Sequence, residues 1–334
     1  MKNVLITGAS GYIGSHVIVE LAQKHFNIIC IDNASNSYRK VFTNLNTITG
    51  KTIRFYSLDL SKETDRLNEI FNNHKIDFCI HLAALKSVSE SIEQPLRYYR
   101  NNIDSLMNLL EMLEKYKCKG MLFSSSATVY SPNQEMPLTE NSDVGNNLTN
   151  TYARTKYFSE EILKDYCNVH PDFKCIILRY FNPIGSHSSR LIDEHPKGKP
   201  QNLMPNILAV LKGKKEHLDI YGTDYDTPDG TALRDYIHVE DLAHAHLQSI
   251  YKMQQMIAHK LPNNLEIYNV GTGKGTSVLE IIQILKKYGV DVKHEMKDRR
   301  PGDLGVVYCD NTKILNETMW KPKLTVEDAL KIYK

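Results

Sequence analysis

A glycine pattern near the N-terminus restricts the possible folds sharply. Gly8, Gly11 and Gly14 follow the spacing GxxGxxG within "LITGASGYIGSHV", after an apolar run and before a helical pattern. Glycine permits a sharp turn and lets a ligand approach the amides at the start of a helix, where the helix dipole favours negative charge. The pattern predicts a strand, a phosphate-binding turn and a helix in direct succession.

Apolar runs rich in β-branched residues alternate with helical patterns over the first 180 residues. The runs predict strands at 3–7, 27–31, 52–58, 77–83, 120–126 and 174–180, and the patterns between them predict helices at 13–24, 103–116 and 152–166. This alternation is typical of a parallel sheet with right-handed crossovers and helices on both faces. We therefore predict an α/β fold built on a Rossmann-like doubly wound parallel sheet.

The alternation stops near residue 182. A long polar stretch rich in Gly, Pro and Ser follows, and it predicts a loop before a helix at about 203–212. We expect a dinucleotide-binding Rossmann domain over residues 1–182 and a smaller mixed α/β C-terminal lobe over 183–334. We also expect a segment at about 234–252 to fold back onto the first domain.

Composition narrows the function classes. The net charge of +2 over 334 residues favours neither nucleic acid nor an anionic membrane surface as a partner, and no apolar run approaches the roughly 20 residues of a membrane span. The N-terminus lacks the pattern of a signal peptide, and the six cysteines form no CxxC, which indicates reduced thiols in a cytoplasmic protein. The thirteen histidines include no zinc-binding spacing, so we expect no structural metal.

An acidic residue ends the second predicted strand. Asp32 lies in "IICIDN", 24 residues after Gly8. A carboxylate at this point accepts hydrogen bonds from the adenosine ribose hydroxyls and repels a 2′-phosphate, which favours NAD over NADP. The alternative is an aspartate that only initiates a turn, and Arg39 and Lys40 leave NADP open.

Three side chains suggest redox chemistry at the carboxyl edge of the sheet. Tyr152 and Lys156 are four residues apart in a predicted helix and so share one face, while Ser126 ends the fifth predicted strand. A nearby positive charge lowers the pKa of a tyrosine so that it acts as a base near neutral pH. We predict that the three groups meet over a nicotinamide ring. Tyr152 would be the base, Lys156 would lower the pKa of Tyr152, and Ser126 would relay the proton. The alternatives are that Tyr152 and Lys156 are ordinary surface residues of a helix, and that the serines before Ala127 only cap a helix or form a turn.

The motifs "TGASGYIG", "SSSATVY" and "YARTK" together resemble the extended short-chain dehydrogenase/reductase family. Further motifs, among them "HLAALKSVSES", "RYFNPIGSH", "DGTALRDYIHVEDLA", "YNVGTG" and "RRPGDL", are similar to those of its nucleotide-sugar epimerases, from residue 3 to about 330. The resemblance implies reversible epimerisation at C4 of UDP-hexoses, through a transient 4-keto sugar and with bound NAD.

The resemblance also assigns roles to residues. It makes Tyr152 the base and Ser126 the proton shuttle, and Lys156 lowers the pKa of the tyrosine and holds the nicotinamide ribose. It implies contacts to the cofactor from Gly8, Gly11, Tyr12, Ile13, Gly14, Asp32, Asn33, Asp59, Leu60, Ala83, Ala84, Lys86, Asn101, Ser124, Tyr152, Lys156 and Tyr180. It implies contacts to the UDP-sugar from Ser126, Thr128, Tyr152, Phe181, Asn182, Asn202, Leu203, Tyr221, Arg234, Arg300, Asp303 and Val307.

Within this set, Arg234 and Arg300 match the pyrophosphate-binding arginines of the family, and Tyr221 matches an aromatic residue that stacks on uracil. Val307 stands where many bacterial relatives that act on plain hexoses carry a tyrosine. The smaller side chain predicts room for an N-acetyl group, and hence activity on UDP-N-acetylglucosamine and UDP-N-acetylgalactosamine as well. Relatives are commonly dimers through a helix bundle, and we expect a homodimer here. The helical patterns at 105–116 and 157–166 could form such a bundle, although their apolar faces are equally suited to covering the sheet.

Rival activities remain at this point. Related 4,6-dehydratases carry an Asp-Glu pair before the "VY" dipeptide, and related decarboxylases carry a Glu at the position of Thr128. This chain has Ala127 and Thr128 there, which argues against both. An NAD(P)-dependent nucleotide-sugar reductase with net redox chemistry stays an alternative. So does a non-catalytic NAD-binding protein, since the fold alone does not define a function.

Overall fold

Residues 1–198, 200–300 and 302–333 are described by the computed structural model; Lys199, Pro301 of the "RRPGDL" motif and Lys334 lie outside the described residues. The strands are β1 Lys2–Thr7, β2 Phe26–Asp32, β3 Arg54–Ser57, β4 Phe78–His81, β5 Gly120–Ser126, β6 Lys174–Tyr180, β7 Asn182–Ile184, β8 Leu218–Tyr221, β9 Leu233–Arg234, β10 Tyr236–His238, β11 Leu265–Val270, β12 Thr276–Ser277, β13 His294–Lys297 and β14 Val306–Val307. The α-helices are α1 Tyr12–Ala22, α2 Lys40–Thr49, α3 Thr64–Asn73, α4 Val88–Glu93, α5 Pro95–Tyr99, α6 Ser105–Lys115, α7 Thr151–Val169, α8 Leu203–Leu211, α9 Val239–Ala258, α10 Val278–Lys287, α11 Thr312–Glu317 and α12 Val326–Lys331.

A seven-stranded parallel sheet forms the centre, with strand order β11-β6-β5-β4-β1-β2-β3. Alternate residues of β1 serve its two faces, as the two-residue period of a strand requires. Val4 and Ile6 pack into the core beneath α1, α2 and α9, whereas Leu5 packs into the core beneath α3, α6 and α7. The predicted α/β class with a doubly wound parallel sheet is confirmed.

Several elements differ from the sequence-based expectation. The third and fourth strands are shorter than predicted, because the flanking residues leave the ladder for the loops at its edges. The helix predicted at 103–116 begins as α6 at Ser105, after a π-helical turn over Arg100–Asp104. Helices α2 and α3 were not predicted. Strand β11 joins the sheet although the sequence analysis assigned residues 265–270 to the second lobe, because its register with β6 is set by a long-range contact.

The C-terminal part of the chain packs around its own apolar cluster. Ile207, Ile220, Ile281, Leu285 and Leu330 are buried within it. Three small sheets accompany this cluster: β10 with β7, β12 with β9 and β14, and β13 with β8. They carry several of the predicted substrate residues.

Helix α9 leaves this part of the chain and packs on α1 against the central sheet. Asp241 in its first turn ties the C-terminal segment to it: the carboxylate accepts hydrogen bonds from the amides of Lys323 (2.9 Å) and Leu324 (2.7 Å), and its carbonyl accepts one from the Trp320 indole. Helix α9 therefore connects the sheet with the last residues of the chain.

Within the three described ranges, no helix is both long and apolar enough to cross a membrane. The same residues contain no cluster of three His, Cys, Asp or Glu side chains with the arrangement of a metal site. All six cysteines are buried and unpaired by disulfides.

Candidate active site

The glycine loop between β1 and α1 has the geometry of a phosphate-binding turn. Gly8 has a φ of +67°, and a Cβ there would lie 2.7 Å from the backbone nitrogen of Ala83, so only glycine fits. A Cβ on Gly14 would collide with the carbonyl oxygen of Gly8. Helix α1 starts after Gly11 with no side-chain cap and no acidic residue in its first turn, which leaves its amides and dipole free for an anion.

Asp32, at the carboxyl end of β2, is held in a fixed orientation. One carboxylate oxygen accepts a hydrogen bond from the amide of Ser10 (2.9 Å) and the other from the amide of Ala34 (2.7 Å). The first of these bonds links the acid to the glycine loop itself. The carboxylate has lone pairs left for ligand hydroxyls, because each oxygen accepts more than one hydrogen bond.

A cavity of about 590 Å³ extends along this edge of the sheet. Every residue that the sequence analysis assigned to the cofactor lies in its wall, from Gly8 after β1 to Tyr180 at the end of β6. The cavity has the volume range of small-molecule and cofactor sites. With the uncapped helix, the crowded glycines and the anchored Asp32, the residues present fit a dinucleotide such as NAD.

Two further wall residues, Asn101 and Lys86, owe their placement to irregular backbone. Asn101 lies in the π-helical turn before α6, a feature that is frequent at functional sites. Its side-chain amide donates a hydrogen bond to the side-chain oxygen of Asn102 (3.0 Å). The same oxygen also accepts a hydrogen bond from the backbone amide of Leu85. Lys86 follows β4 and pairs with Glu194 at 2.9 Å. Asn101 therefore reaches the cavity from a π-helical turn between two helices, and Lys86 reaches it from the loop after β4.

Helix α7 brings Tyr152 and Lys156 into the same cavity. It begins at Thr151, and the side chain of Asn150 caps it by accepting a hydrogen bond from the amide of Ala153 (2.8 Å). Because the two residues are four apart, both side chains leave the same face of the first two turns. The Lys156 ammonium donates to the carbonyl (2.6 Å) and the hydroxyl (3.3 Å) of Ser124 on β5.

The protonation of this pair differs from the sequence-based expectation. We expected the ammonium to lower the pKa of the Tyr152 phenol, but its pKa is raised, because the surrounding protein desolvates the phenol more than Ser126 stabilises the phenolate by hydrogen bonding. The pKa of Lys156 falls to about 7 through burial, an effect that the nearby Glu160 carboxylate opposes. The expected lowering of the tyrosine pKa is therefore wrong for the protein groups alone, because burial raises this pKa and the Ser126 hydrogen bond offsets only part of the rise.

Ser126 is the last residue of β5, and Thr128 lies in the short 3₁₀ turn that follows. The Ser126 hydroxyl accepts hydrogen bonds from the amide (3.2 Å) and the hydroxyl (3.0 Å) of Thr128. Ser126 acts on the Tyr152 phenol although it is not part of the cavity wall itself. Tyr180 lines the cavity, and its hydroxyl is hydrogen-bonded to His246 on α9 at 2.6 Å.

Most predicted substrate residues lie outside the cavity wall, and four of them, namely Asn182, Tyr221, Arg234 and Val307, lie on the small sheets. Arg300 pairs with Asp303 at 2.7 Å, and its guanidinium lies 4.6 Å from the ring centroid of Tyr221. Arg234 on β9 donates to the carbonyls of Leu233 (2.9 Å) and Gly305 (3.3 Å). The structure thus brings Tyr221, Arg300 and Asp303 together.

Val307 belongs to this region and also contacts a buried cluster next to the 3₁₀ turn after β5. It lies opposite Arg234 in the pairing of β14 with β9. Its side chain also packs on a small buried cluster that includes Phe181 and borders Ala127, which lies between Ser126 and Thr128. Val307 and Ala127 therefore pack against the same buried cluster.

The amide-bearing residues are more dispersed. The Asn202 amide donates to Glu194 at 2.6 Å, and Leu203 follows as the first residue of α8. Asn182 is exposed at the start of β7, where its backbone amide donates to the carbonyl of Asp235 (2.9 Å).

The sequence analysis missed part of the cavity wall. Ser10, Ser37, Tyr38 and the segment 191–196 all line it. Ser10 occupies a variable position of the glycine motif, and the bond of its amide to Asp32 has no sequence signal. The segment 191–196 lies within a predicted loop. Its position depends on contacts such as the hydrogen bond from the Asn44 side chain to the carbonyl of Leu191 (2.6 Å).

Comparison with known proteins agrees with this geometry. The chain is 43% identical to UDP-glucose 4-epimerase of Caenorhabditis elegans, over 98% of this chain and 95% of that protein. Its structure is similar to that of UDP-glucose 4-epimerase from Bifidobacterium longum in complex with NAD+ and UDP, with a TM-score of 0.92, 41% identity and coverage of 99% and 96% of the two chains. It is also similar to the UDP-Glc/GlcNAc 4-epimerase of Campylobacter jejuni, with a TM-score of 0.84, 34% identity and coverage of 100% and 99%.

The family assignment rests on most of the chain. The model of the NAD dependent epimerase/dehydratase family matches residues 4–271, which span the sheet, the glycine loop and the Tyr152 helix. The resemblance seen in the sequence motifs is thereby confirmed, and the chain belongs to the NAD dependent epimerase/dehydratase family.

Proposed function

We propose that the protein interconverts the C4 epimers of UDP-hexoses, with NAD as a bound cofactor that is regenerated in each cycle. One observation carries the proposal: Tyr152 and Lys156 line the same cavity as the glycine loop and Asp32. The similar proteins named above are UDP-sugar 4-epimerases, and none of them supports a reductase with net redox chemistry. Ala127 and Thr128 provide no carboxylate for a dehydratase.

The cofactor would be held by the glycine loop, the start of α1 and Asp32, with Lys156 at its far end. When bound, NAD supplies reversible hydride acceptance at C4 of the sugar, by way of a 4-keto sugar. The remaining chemistry belongs to side chains. Tyr152 takes the proton of the 4-hydroxyl and returns it, directly or through the Ser126 hydroxyl, while Lys156 stabilises the phenolate when the phenol is deprotonated.

The UDP group requires donors for its diphosphate and a surface for its base. We propose Arg234, Arg300, Asn182 and Asn202 with Leu203 for the phosphates, since guanidinium groups and amides suit oxyanions. Tyr221 would stack on uracil and Asp303 would contact the ribose. The clustering of Tyr221, Arg300 and Asp303 supports this assignment, and Phe181 and Thr128 would border the sugar.

We propose that the sugar site also accepts N-acetylhexosamines, so that UDP-N-acetylglucosamine and UDP-N-acetylgalactosamine are substrates. Val307 packs against the same buried cluster as Ala127, and a larger side chain there would reduce the space next to Ser126 and Thr128. Similarity to an epimerase of both UDP-Glc and GlcNAc supports the idea.

We propose that the protein is a homodimer through α4 to α7. Apolar side chains are exposed on this face, namely Ile92, Leu96, Met107 and Phe158. A groove on the same helices contains Phe158 and Ile103. A second copy is the occupant that an apolar face of this kind favours, because a twofold interface pairs one patch with itself.

We also retain two organisational proposals. The first is that residues 1–182 form an NAD-binding Rossmann domain, to which the segment at about 234–252 and β11 also belong. The rest of 183–334 would form a nucleotide-sugar-binding lobe. The packing of α9 on α1 supports it. The second is a cytoplasmic location, which six buried cysteines without a disulfide favour.

The function can be tested with purified protein. UDP-galactose and UDP-N-acetylgalactosamine are supplied separately, with and without added NAD, and the products are separated by anion-exchange chromatography. We expect both to be converted to their C4 epimers without net NADH. Conversion of UDP-galactose alone would reject the N-acetylhexosamine proposal, and no conversion of either would reject the epimerase.

A further inference from the structure

One buried charge beneath the active site has no role in the chemistry described so far. Glu160 lies on α7, one helical turn beyond Lys156, and its side chain is fully buried. Its partner is Arg179 on β6, whose side chain is 2% exposed. A buried pair of this kind is costly to desolvate, and replacing it by apolar residues is often neutral or stabilising. Stability alone therefore does not explain it.

The contacts of Glu160 connect the three elements that carry the active site. Its carboxylate accepts hydrogen bonds from Arg179 Nη2 (2.7 Å) and Nε (3.1 Å) on β6. It accepts a third from the hydroxyl of Ser125 (2.5 Å) on β5. Ser125 lies between Ser124, which accepts from Lys156, and Ser126. Arg179 directly precedes Tyr180. The carboxylate thus joins α7 to both strands at the level of the catalytic residues.

Arg179 is itself held from the side opposite to Glu160. Its Nη1 donates to the hydroxyl of Tyr130 (3.1 Å) and to the carbonyl of Glu140 (3.2 Å). The Tyr130 hydroxyl donates to Asn269 at 2.6 Å on β11. These hydrogen bonds fix the position of the Arg179 guanidinium, so that Glu160 pairs with it without changing its own position.

Lys156 has few other charges near it. Tyr152 and Glu160 flank it on α7, and β5 provides the hydroxyl and carbonyl of Ser124 and the ring of Phe123 at 4.8 Å. His81 on β4 interacts with it, but burial lowers the pKa of His81 to about 3, so that this ring is neutral near pH 7. Glu160 is thus the negative group that acts on the ammonium among these neighbours.

We propose that Glu160 is a positioning residue of the active site, which holds α7 against β5 and β6 and keeps the Lys156 ammonium charged. The proposal rests on the proposed function, in which a cationic Lys156 stabilises the Tyr152 phenolate. Burial lowers the pKa of Lys156 to about 7, and the carboxylate opposes this fall. Without Glu160, the ammonium would lose its proton at a lower pH, and the phenolate would lose its neighbouring charge.

The test compares Glu160→Gln with the wild type in two measurements. The first is the pH dependence of the rate at which acetic anhydride labels Lys156, followed by mass spectrometry on protein without nucleotide. Only the neutral amine reacts, so the midpoint reports the protonation of Lys156. The second is the pH profile of kcat/KM with UDP-galactose. We expect both the labelling midpoint and the alkaline limb to move down by on the order of one pH unit. We expect kcat to fall and KM to stay unchanged, because Glu160 does not reach the substrate.

Two further variants separate this role from a structural one. Glu114→Gln, an exposed carboxylate on α6, is the matched control and should change neither midpoint. Glu160→Leu combined with Arg179→Met removes both buried charges and should restore the melting temperature that Glu160→Gln lowers, yet keep the labelling midpoint low. An unchanged midpoint in Glu160→Gln, or a normal one in the double variant, would overturn the proposal. A wild-type protein without epimerase activity would reject the proposed function and leave the labelling result valid.

Discussion

At the scale of single residues, burial decides the chemistry more than sequence spacing does. Tyr152 and Lys156 are placed by an ordinary four-residue helical interval. The pKa values of the two groups nevertheless move in directions that the interval does not predict, because both groups are desolvated by the protein around them. The state of the proposed base and of its neighbouring cation therefore depends both on the helix that carries them and on the strands that cover them.

Tyr152→Phe removes the proposed base and keeps the ring. We expect kcat for epimer formation from UDP-galactose to fall by about 10² to 10⁴, the usual contribution of a general base. The NAD content after gel filtration should stay that of the wild type. Tyr157→Phe is the control, since its ring packs against Gly145 and is not part of the cavity wall. Retention of full activity by Tyr152→Phe would remove the tyrosine from the mechanism.

Val307→Tyr tests the size of the sugar site. The larger side chain would occupy space beside Phe181 and Ala127. We expect kcat/KM for UDP-N-acetylgalactosamine to fall by about 10- to 200-fold, the range of discrimination that steric fit provides. The value for UDP-galactose, measured in the same protein, should change only a few-fold. Equal losses on both substrates would contradict a role in selecting the sugar.

At the scale of elements, α7 serves two surfaces. One face carries Tyr152, Lys156 and Glu160 toward the cavity and the sheet, while Phe158 on another face is 43% exposed. Helices α4 and α5 pack against α7 and expose Ile92 and Leu96. A 19-residue helix is long enough for both tasks, because its faces repeat every 3.6 residues.

Leu96→Glu tests the dimer proposed on this surface. Leu96 is 74% exposed, so the change should leave the fold of the protomer intact. In a twofold interface it places two carboxylates in apolar surroundings, and we expect the dissociation constant to rise at least about 30-fold by sedimentation velocity. Met319→Glu, an exposed apolar residue after α11, is the control and should remain dimeric. A monomeric wild type at micromolar concentration would exclude this dimer.

At the scale of the whole molecule, three fully buried histidines make stability depend on pH. Burial lowers the pKa from its ordinary value of 6.5 to about 3 for His16, about 3 for His81 and about 4 for His246. His16 lies on α1, His81 on β4 and His246 on α9, and these three elements all belong to or pack against the central sheet. Because the folded pKa is below the unfolded one, each histidine stays neutral in the fold and binds a proton on unfolding as the pH falls below 6.5.

We therefore expect the free energy of unfolding to be constant with respect to these groups above about pH 6.5 and to fall below it. The slope is at most about 1.4 kcal/mol per pH unit for each histidine, or about 4 kcal/mol for the three together. Urea unfolding between pH 7 and pH 5 measures it, in a window above the titration of most carboxylates. His16→Gln should reduce the slope by one proton, and the exposed His25→Gln should not. A flat profile over this window would contradict the buried neutral state.

Much of this molecule was accessible from its sequence. The alternation of apolar runs and the spacing of Gly8, Gly11 and Gly14 are local signals, and they were sufficient for the fold class and for one edge of the sheet. Asp32 and Ser126 were identified because each ends a predicted strand, and Tyr152 was identified by its four-residue spacing from Lys156 in the helix that follows. In a parallel sheet, all such ends meet at one edge.

Other features depend on contacts between distant segments, and only the tertiary structure decided them. Three such features have no local signal: the placement of β11 in the sheet, the segment 191–196 in the cavity wall, and the packing of Val307 against the same cluster as Ala127. The protonation of Tyr152 and Lys156 and the buried pair of Glu160 with Arg179 depend on desolvation, which no spacing rule contains. The sequence by itself thus indicated which residues line the cavity and which ones we propose for the chemistry, and the tertiary structure decided their electrostatic state, because burial is a property of the whole packed chain.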